Sequence, residues 1–417
     1  MVTRFSKSML FYFPFIFLSI CVSHAQKNLK TYRAVIQRPD GNQIPFLLSD
    51  SISGQKRYWI IRNANDRLQL NDVKIVGDSV IALFPVFESQ FRVSVKKNDV
   101  WEGYWYKGAA NGLATQSLRI FPNENFRFNP NPKKPLHNIS GRWSATFTRS
   151  NNTTRPSVAE FVQDGNKITG TFLNRSGDYR YLEGIVSGDS LMLSIFDGSH
   201  AYVFYAIIKD EHEITNGVYC SGTALKEKWM AFKDADAKLP ADPNELAVKK
   251  DSNHLAFSFR DLNGKKISIQ DTRFKNKVVI VQLLGSWCPN CMDETAFLSE
   301  YYSKNKNRGV EIVGLAYEYS EDFNRSKKSV QKFKDRFHVE YPLLITGVTA
   351  SDSLRAEKTL PQLKKIESFP STIFIDKSGK IRQIHTGFNG PATGIHFEEE
   401  KKHFEATVDE LLEERIK

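Results

Sequence analysis

Apolar and polar residues alternate in short runs through the first half of the chain. Phe91-Arg92-Val93-Ser94-Val95 is typical, with the period of two that a half-buried strand requires. Turn pairs such as Asp40-Gly41 and Gly77-Asp78 bound these runs across residues 27–133. The segment Asn129-Pro130-Asn131-Pro132-Lys133-Lys134-Pro135 then breaks the pattern. Residues 138–235 resume it, with Asp164-Gly165, Gly188-Asp189 and Asp197-Gly198 as turns and with Leu191, Leu193 and Ile195 alternating. No helix-period run of useful length occurs in this half, so antiparallel sheets, closed into a barrel or stacked as a sandwich, are expected.

The two stretches read as a divergent internal repeat. Ile75-Val76-Gly77-Asp78-Ser79-Val80 is echoed by Ile185-Val186-Ser187-Gly188-Asp189-Ser190-Leu191, and Gly103-Tyr104-Trp105-Tyr106-Lys107-Gly108 by Gly217-Val218-Tyr219-Cys220-Ser221-Gly222. In this alignment Cys220 replaces Tyr106 inside a strand, which marks it as a packing residue rather than a reactive thiol. Gly141-Arg142-Trp143 resembles the Gly-x-Trp that opens lipocalin-like barrels, although a Trp beside turn residues is also an ordinary core residue.

After a linker at residues 236–252, with Pro240 and Pro243, the texture changes. Val278 to Leu284 is an unbroken apolar run, as in a strand covered on both faces. Residues 289–302 read as a helix with Pro289 in its first turn, where the missing N–H is harmless. Residues 310–316 read as a second buried strand. Residues 322–338 read as an amphipathic helix with Phe323, Val330, Phe333 and Phe337 on one face. A hairpin turns around Ser378-Gly379, and a last helix spans 396–415 with Phe404, Val408, Leu411 and Leu412 aligned. Strands alternating with helices predict an α/β sandwich around a mixed sheet for residues 253–417. The fold class is therefore α+β multidomain, with N-terminal all-β repeats ahead of a C-terminal α/β domain.

Composition agrees with a folded chain of two or three domains: 417 residues, 41% hydrophobic and 25% charged. A mean hydropathy of −0.41 excludes a polytopic membrane protein. The formal charge of +11 is scattered without a basic block, and nucleic-acid binding is not expected. Residues 26–250 hold 30 basic against 23 acidic side chains and residues 251–417 hold 26 against 24. At the N-terminus, Arg4 and Lys7 precede an apolar run from Met9 to Val22 that ends at Ser23-His24-Ala25. Small residues at Ser23 and Ala25 predict a signal peptide over 1–25, with Gln26 the first mature residue. A retained membrane anchor is the competing reading, though the run falls short of the ~20 residues of a span. A lipoprotein signal at Cys21 is set aside because bulky Ile20 precedes it.

Export permits disulfides, yet only Cys220, Cys288 and Cys291 remain in the mature chain, too few for a disulfide scaffold. Trp287-Cys288-Pro289-Asn290-Cys291 directly follows the buried strand, so Cys288 sits at a helix N-terminus. Unpaired N–H groups and the helix dipole favour a thiolate there. Cys291 lies one turn on, ~5–6 Å away, close enough for a disulfide. An accessible outer nucleophile with an inner partner thiol is what thiol–disulfide exchange needs. A zinc site would need about four ligands, and neither a second Cys pair nor a nearby pattern of His338, His385, His396 and His403 supplies them. No cofactor or metal is expected.

The Trp287-Cys288-x-x-Cys291 motif, with Phe369-Pro370-Ser371-Thr372-Ile373-Phe374-Ile375-Asp376 further on, resembles the thioredoxin superfamily. More closely, residues 253–417 resemble the TlpA/ResA-type exported thiol–disulfide oxidoreductases of bacteria, including the hairpin at 257–269 that precedes the core. The β repeat at 138–235 resembles N-terminal extensions on such proteins in Bacteroidetes. The resemblance implies a thioredoxin-like C-terminal domain and a redox-active Cys288–Cys291 disulfide. It implies a cis Pro370 facing the pair, and Trp287, Phe369 and Pro370 against an extended substrate chain. Glu294, three residues after Cys291 as in the ResA-like group, shares a helical stripe with Cys291, Leu298 and Tyr301. A part-buried carboxyl there would have a raised pKa and could exchange protons with Cys291; a solvated helix carboxylate is the plainer reading.

Two departures stand out. Gln282 replaces the buried carboxylate that many thioredoxins carry six residues before the first Cys, and Pro289-Asn290 replaces Gly-Pro between the cysteines. That dipeptide helps set a potential spanning about −270 to −120 mV among relatives, so the motif leaves the direction open while the family favours reduction. The expected activity is reduction of protein disulfides in the periplasm, with recharging by a membrane-borne thiol donor. Two alternatives are a peroxiredoxin-like peroxidase, for which Gly285 stands where that chemistry uses a Thr, and a ligand-binding or docking protein whose β-rich half has the main role.

Overall fold

The computed structural model describes residues 30–415 apart from 55, 97–98, 123, 241–247 and 250–252. Residues 1–25, read as a signal peptide with Cys21 inside it, and much of the 236–252 linker lie outside the described residues.

Among the described residues, the first sheet has nine strands in an antiparallel meander from Lys30–Gln37 to Gly112–Phe121. Its first strand pairs with both Gln43–Ser53 and Gly112–Phe121, which joins the two halves of the meander. The second sheet also has nine strands, and here Thr154–Asp164 pairs on one side with Gly141–Thr148 and on the other with Lys167–Asn174. Those pairings close it into a barrel, which removes the exposed edge of an open sheet. The hairpins Asp72–Val76/Ser79–Leu83 and Leu182–Ser187/Ser190–Phe196 turn at Gly77 and Gly188, both at φ 63°, where a side chain would be strained. Trp143 is fully buried in the second barrel, its Nε1 donating to the Ile139 carbonyl at 2.9 Å.

The two β units share an apolar contact with buried polar groups beside it. Phe196, from the second sheet, belongs to the first unit's apolar core, stacked 4.4 Å from Phe46. Buried Cys220 reaches the same cluster, as a packing residue would. Arg127 spans the join, donating to the Arg62 carbonyl at 2.7 Å and pairing with Glu183 at 3.1 Å. The Pro-rich break is therefore strapped down, with the Lys133 N–H donating to Ser187 Oγ at 3.0 Å.

The C-terminal unit is thioredoxin-like. Its seven-stranded sheet has Val278–Leu284 in its interior, parallel to Val310–Ala316 and antiparallel to Ser371–Ile375. Val278, Ile280 and Leu284 meet the helices Pro289–Asn305, Phe323–Phe337 and Ile395–Glu413 on one face. Val279, Val281 and Leu283 turn to the other face, under the short helix Arg355–Thr359 and the apolar residues after it. This alternation explains the unbroken apolar run, because both faces of the strand are covered. The short strand Leu343–Ile345 and the helix Arg355–Thr359 were not expected, since three to five residues carry no readable period.

Candidate active site

The strand Val278–Leu284 is followed by Gly285, whose carbonyl accepts from the Cys288 N–H at 3.0 Å to form the turn into the helix. Cys288 is the N-cap of that helix: its Sγ accepts from the Cys291 N–H at 3.3 Å. That amide, in the first turn of the helix, holds the sulfur at the helix N-terminus. Both cysteines are free thiols. Cys291 is completely buried, and that burial, with the neighbouring Cys288, pushes its thiol well above the usual range. The pair is therefore asymmetric: Cys288 caps the helix, and Cys291, one turn further in, is held protonated.

Phe369-Pro370 is a cis peptide, and the Cys288 thiol donates to the Phe369 carbonyl at 3.6 Å. The turn is tied back by the Gly387 N–H on the Pro370 carbonyl at 2.9 Å. Trp287 donates from Nε1 to the Tyr317 carbonyl at 2.8 Å, stacks on Tyr319 and meets Phe369 edge-on at 5.9 Å. Trp287, Cys288, Phe369 and Pro370 thus converge on one spot although 81 residues separate Cys288 from Phe369.

Glu294 faces the sheet and is 3% exposed. Its carboxylate accepts from Thr372 Oγ1 at 2.5 Å and Gln282 Nε2 at 2.6 Å. Burial pushes its pKa up to about 7 against the pull of those two donors. Gln282 is fixed in turn by Thr295 and by the Tyr341 hydroxyl, which donates to its Oε1 at 3.2 Å. The residue that departs from the common thioredoxin pattern is therefore the one that holds Glu294. The place of Thr372, two residues after Pro370 in a strand buried on both faces, is a sequence signal for this role. Glu318 was missed: it accepts from the Ser286 N–H and Oγ at 2.8 and 2.6 Å, and burial lifts it to about 7.

The outer sulfur was expected to be accessible, yet Cys288 is only 5% exposed. The second barrel covers it. Ser199 Oγ donates to the Trp287 carbonyl at 2.6 Å, Asn290 Nδ2 to the Asp178 carbonyl at 3.2 Å and Arg180 Nη1 to the Pro289 carbonyl at 2.8 Å. A helix-by-helix reading of the sequence has no way to place a barrel residue such as Arg180 beside the motif. Gly285 also has a physical reason: a Cβ there would fall 2.2 Å from Trp287 Nε1, so the Thr of a peroxidase site does not fit.

A family model described as Redoxin matches residues 249–399. Among curated proteins, the thiol-disulfide oxidoreductase ResA of Geobacillus kaustophilus is 30% identical over 143 residues, 34% of this chain and 72% of its own length. ResA of Bacillus thuringiensis subsp. konkukian is 31% identical over 127 residues, 30% of this chain and 64% of its own length, a little under two thirds. Solved structures that align include a thioredoxin-family thiol:disulfide interchange protein of Chlorobium tepidum, with 21% identity and a TM-score of 0.30 over 39% of this chain and 98% of that one. The thioredoxin domain of a Bacteroides vulgatus thiol-disulfide oxidoreductase aligns at 24% identity and a TM-score of 0.27, over 37% of this chain and 97% of that one. On its Cys288/Cys291 dithiol, its thioredoxin-like domain and its likeness to the Geobacillus protein, the chain belongs to the ResA-type thiol-disulfide oxidoreductases.

Proposed function

We propose that the protein is an exported reductase of protein disulfides. The observation that carries this reading is the placement of Cys288 Sγ between the Cys291 N–H and the Phe369 carbonyl, with the buried Cys291 thiol as its partner. In the first step the Cys288 thiolate attacks one sulfur of the substrate disulfide. A Cys288–substrate disulfide forms, and the other substrate sulfur leaves as a thiolate. The backbone of Phe369, presented by the Pro370 turn, lies along the substrate chain, and Trp287 flanks it. Cys291 then loses its proton to the ionised Glu294 carboxylate and attacks Cys288 Sγ. The second substrate sulfur is released, and two electrons have passed from the dithiol to the substrate. A membrane-borne thiol donor recharges the Cys288–Cys291 disulfide by the same exchange in reverse.

Export rests on the leader-like segment 1–25, and a periplasmic location follows from it. No helix among the described residues is long and apolar enough to cross a membrane. Cys288→Ser is expected to abolish turnover, and Cys291→Ser to accumulate mixed disulfides with substrate. The reduction potential decides direction: a value near about −250 mV or lower supports the reductase, and one near about −120 mV an oxidant.

A further inference from the structure

Glu294 can take the Cys291 proton only while it is ionised. With its pKa at about 7, roughly half the molecules at that pH start with the carboxyl protonated. Those molecules have to shed the proton before Cys291 attacks, so the buried carboxyl needs a route to water. One side of it is closed. Gln282, which donates to it, leads on to Thr295 and Tyr341, and all three are buried.

The other side leads outward. Thr372, whose hydroxyl donates to the carboxylate, stands directly opposite His385 in the neighbouring strand Ile381–Thr386. Side chains paired in this way have Cβ atoms about 5 Å apart. Phe374 packs among the helices, and Ile384 packs in the core on the far face of the sheet. Alternation along the two strands therefore turns Thr372 and His385 both toward the helices. There His385 Nε2 lies 2.7 Å from Glu400 Oε1 of the last helix, and Asn389 Nδ2 donates to the other carboxylate oxygen at 3.0 Å. The imidazole is 29% exposed. It lines a crevice of about 270 Å³ between the barrel and the redox domain, with Asn174 and Arg175 on the barrel side.

We propose that His385, braced by Glu400, carries protons between Glu294 and solvent through this crevice. This rests on the Cys291–Glu294 exchange given above and adds the path by which it reaches water. In the outward direction the Glu294 carboxyl gives its proton to the neutral His385 ring, and the carboxylate is restored. The imidazolium, opposite the Glu400 carboxylate, then releases the proton to water or buffer in the crevice. No electron moves and no sulfur bond changes in either transfer. When the Cys288–Cys291 disulfide is reduced again, the same groups return a proton to Glu294.

The chemistry of the pair suits it to this task. An imidazole is the side chain that titrates nearest neutral pH, so it accepts and returns a proton there. A carboxylate within ion-pair distance favours its charged form. The titratable groups facing the path are Cys291 on the helix of Glu294, Tyr341 beyond Gln282, Glu400 on the last helix and Arg175 across the crevice. His385 touches neither sulfur and acts through Glu294.

The test is a single turnover of the full reduced chain with dithiobis(nitrobenzoic acid), followed by stopped flow. Attack by Cys288 releases one coloured thiolate, and resolution by Cys291 releases the second. At a pH just below 7 and fixed ionic strength, wild-type resolution is expected to change less than twofold between dilute and concentrated imidazole. His385→Gln is expected to resolve at least tenfold more slowly in dilute imidazole. It should recover at least fivefold in concentrated imidazole, which enters the crevice in place of the missing ring. Its attack step should stay within twofold of wild type, which a damaged fold would not allow. Glu400→Gln, which keeps the ring without its brace, should slow resolution at least threefold. Unchanged resolution in either variant, or a loss in His385→Gln that imidazole does not restore, would overturn the proposal. If Glu294→Gln instead resolves as fast as wild type, the exchange on which the proposal rests fails.

Discussion

Arg180 of the second barrel and Asp293 of the cysteine-bearing helix meet guanidinium to carboxylate at 2.7 Å. The same guanidinium holds the Pro289 carbonyl, so a barrel side chain steadies the first turn of the redox helix. Burial opposes the charge on Arg180, but Asp293, Asp197, Asp66 and Asp178 outweigh it and keep the guanidinium protonated. The barrel is thus built into the redox site, and its removal would change the site.

Arg180→Ala leaves the Asp293 carboxylate without its partner in a largely buried seam. Breaking such a pair from one side costs about 3 kcal/mol. The expected result is a lower urea midpoint, partly restored by Asp293→Asn in the same chain. A midpoint unchanged by Arg180→Ala would show that the seam adds no stability.

Glu294 should control the second half of the reaction. With its pKa near 7, it is protonated in mild acid and unable to take the Cys291 proton, so resolution of the mixed disulfide should accelerate as pH rises through about 7. Glu294→Gln should lose that inflection and slow resolution on the order of a hundredfold, measured by stopped-flow release of the second substrate thiol.

The same carboxyl affects stability with a definite sign. Its folded-state pKa lies above its ordinary value of 4.5, mainly through burial, so the folded protein keeps a proton that the unfolded chain has lost. Its contribution is full below about 4.5 and is lost as pH rises toward about 7. Glu294→Gln should flatten the fall in stability across that interval, with a gain on the order of 3 kcal/mol above pH 7. His385, which lowers this pKa, and Glu400, which raises it, face the same carboxyl, so the comparison should be repeated in a His385→Gln background.

Gly285→Thr should disable the site without creating a peroxidase. Its Cβ would collide with the Trp287 ring, 2.2 Å from Nε1, and displace the Trp287–Tyr317 hydrogen bond. The expected signs are a shifted Trp emission, a drop of at least about tenfold in disulfide reduction and no turnover of hydrogen peroxide.

Phe196→Ala tests the join between the β units. Phe196 is fully buried, stacked on Phe46 and edge-on to Trp105 at 4.8 Å. Truncating a large buried ring costs about 4 kcal/mol. A loss of that size, read from denaturant unfolding, should be accompanied by a change in the near-UV signal of Trp105.

The cysteine helix, the flanking strands and the hairpin turns were legible because each rests on neighbours in sequence. A cysteine directly after a buried strand becomes an N-cap by local geometry, and Gly77 and Gly188 mark equivalent turns because both must adopt positive φ. Gln282 was noticed only as a departure from a pattern, and its hydrogen bond to Glu294 needed the helix laid against the strand.

The amino-acid order by itself determined the dithiol, its place at a helix start and the all-β character of the first half, since period, turn chemistry and capping act over a few residues. Only the tertiary structure decided that the barrel closes over Cys288 and that Arg180 reaches the redox helix. Those contacts depend on how whole units pack, and burial against a distant surface leaves no periodic trace in either partner's sequence.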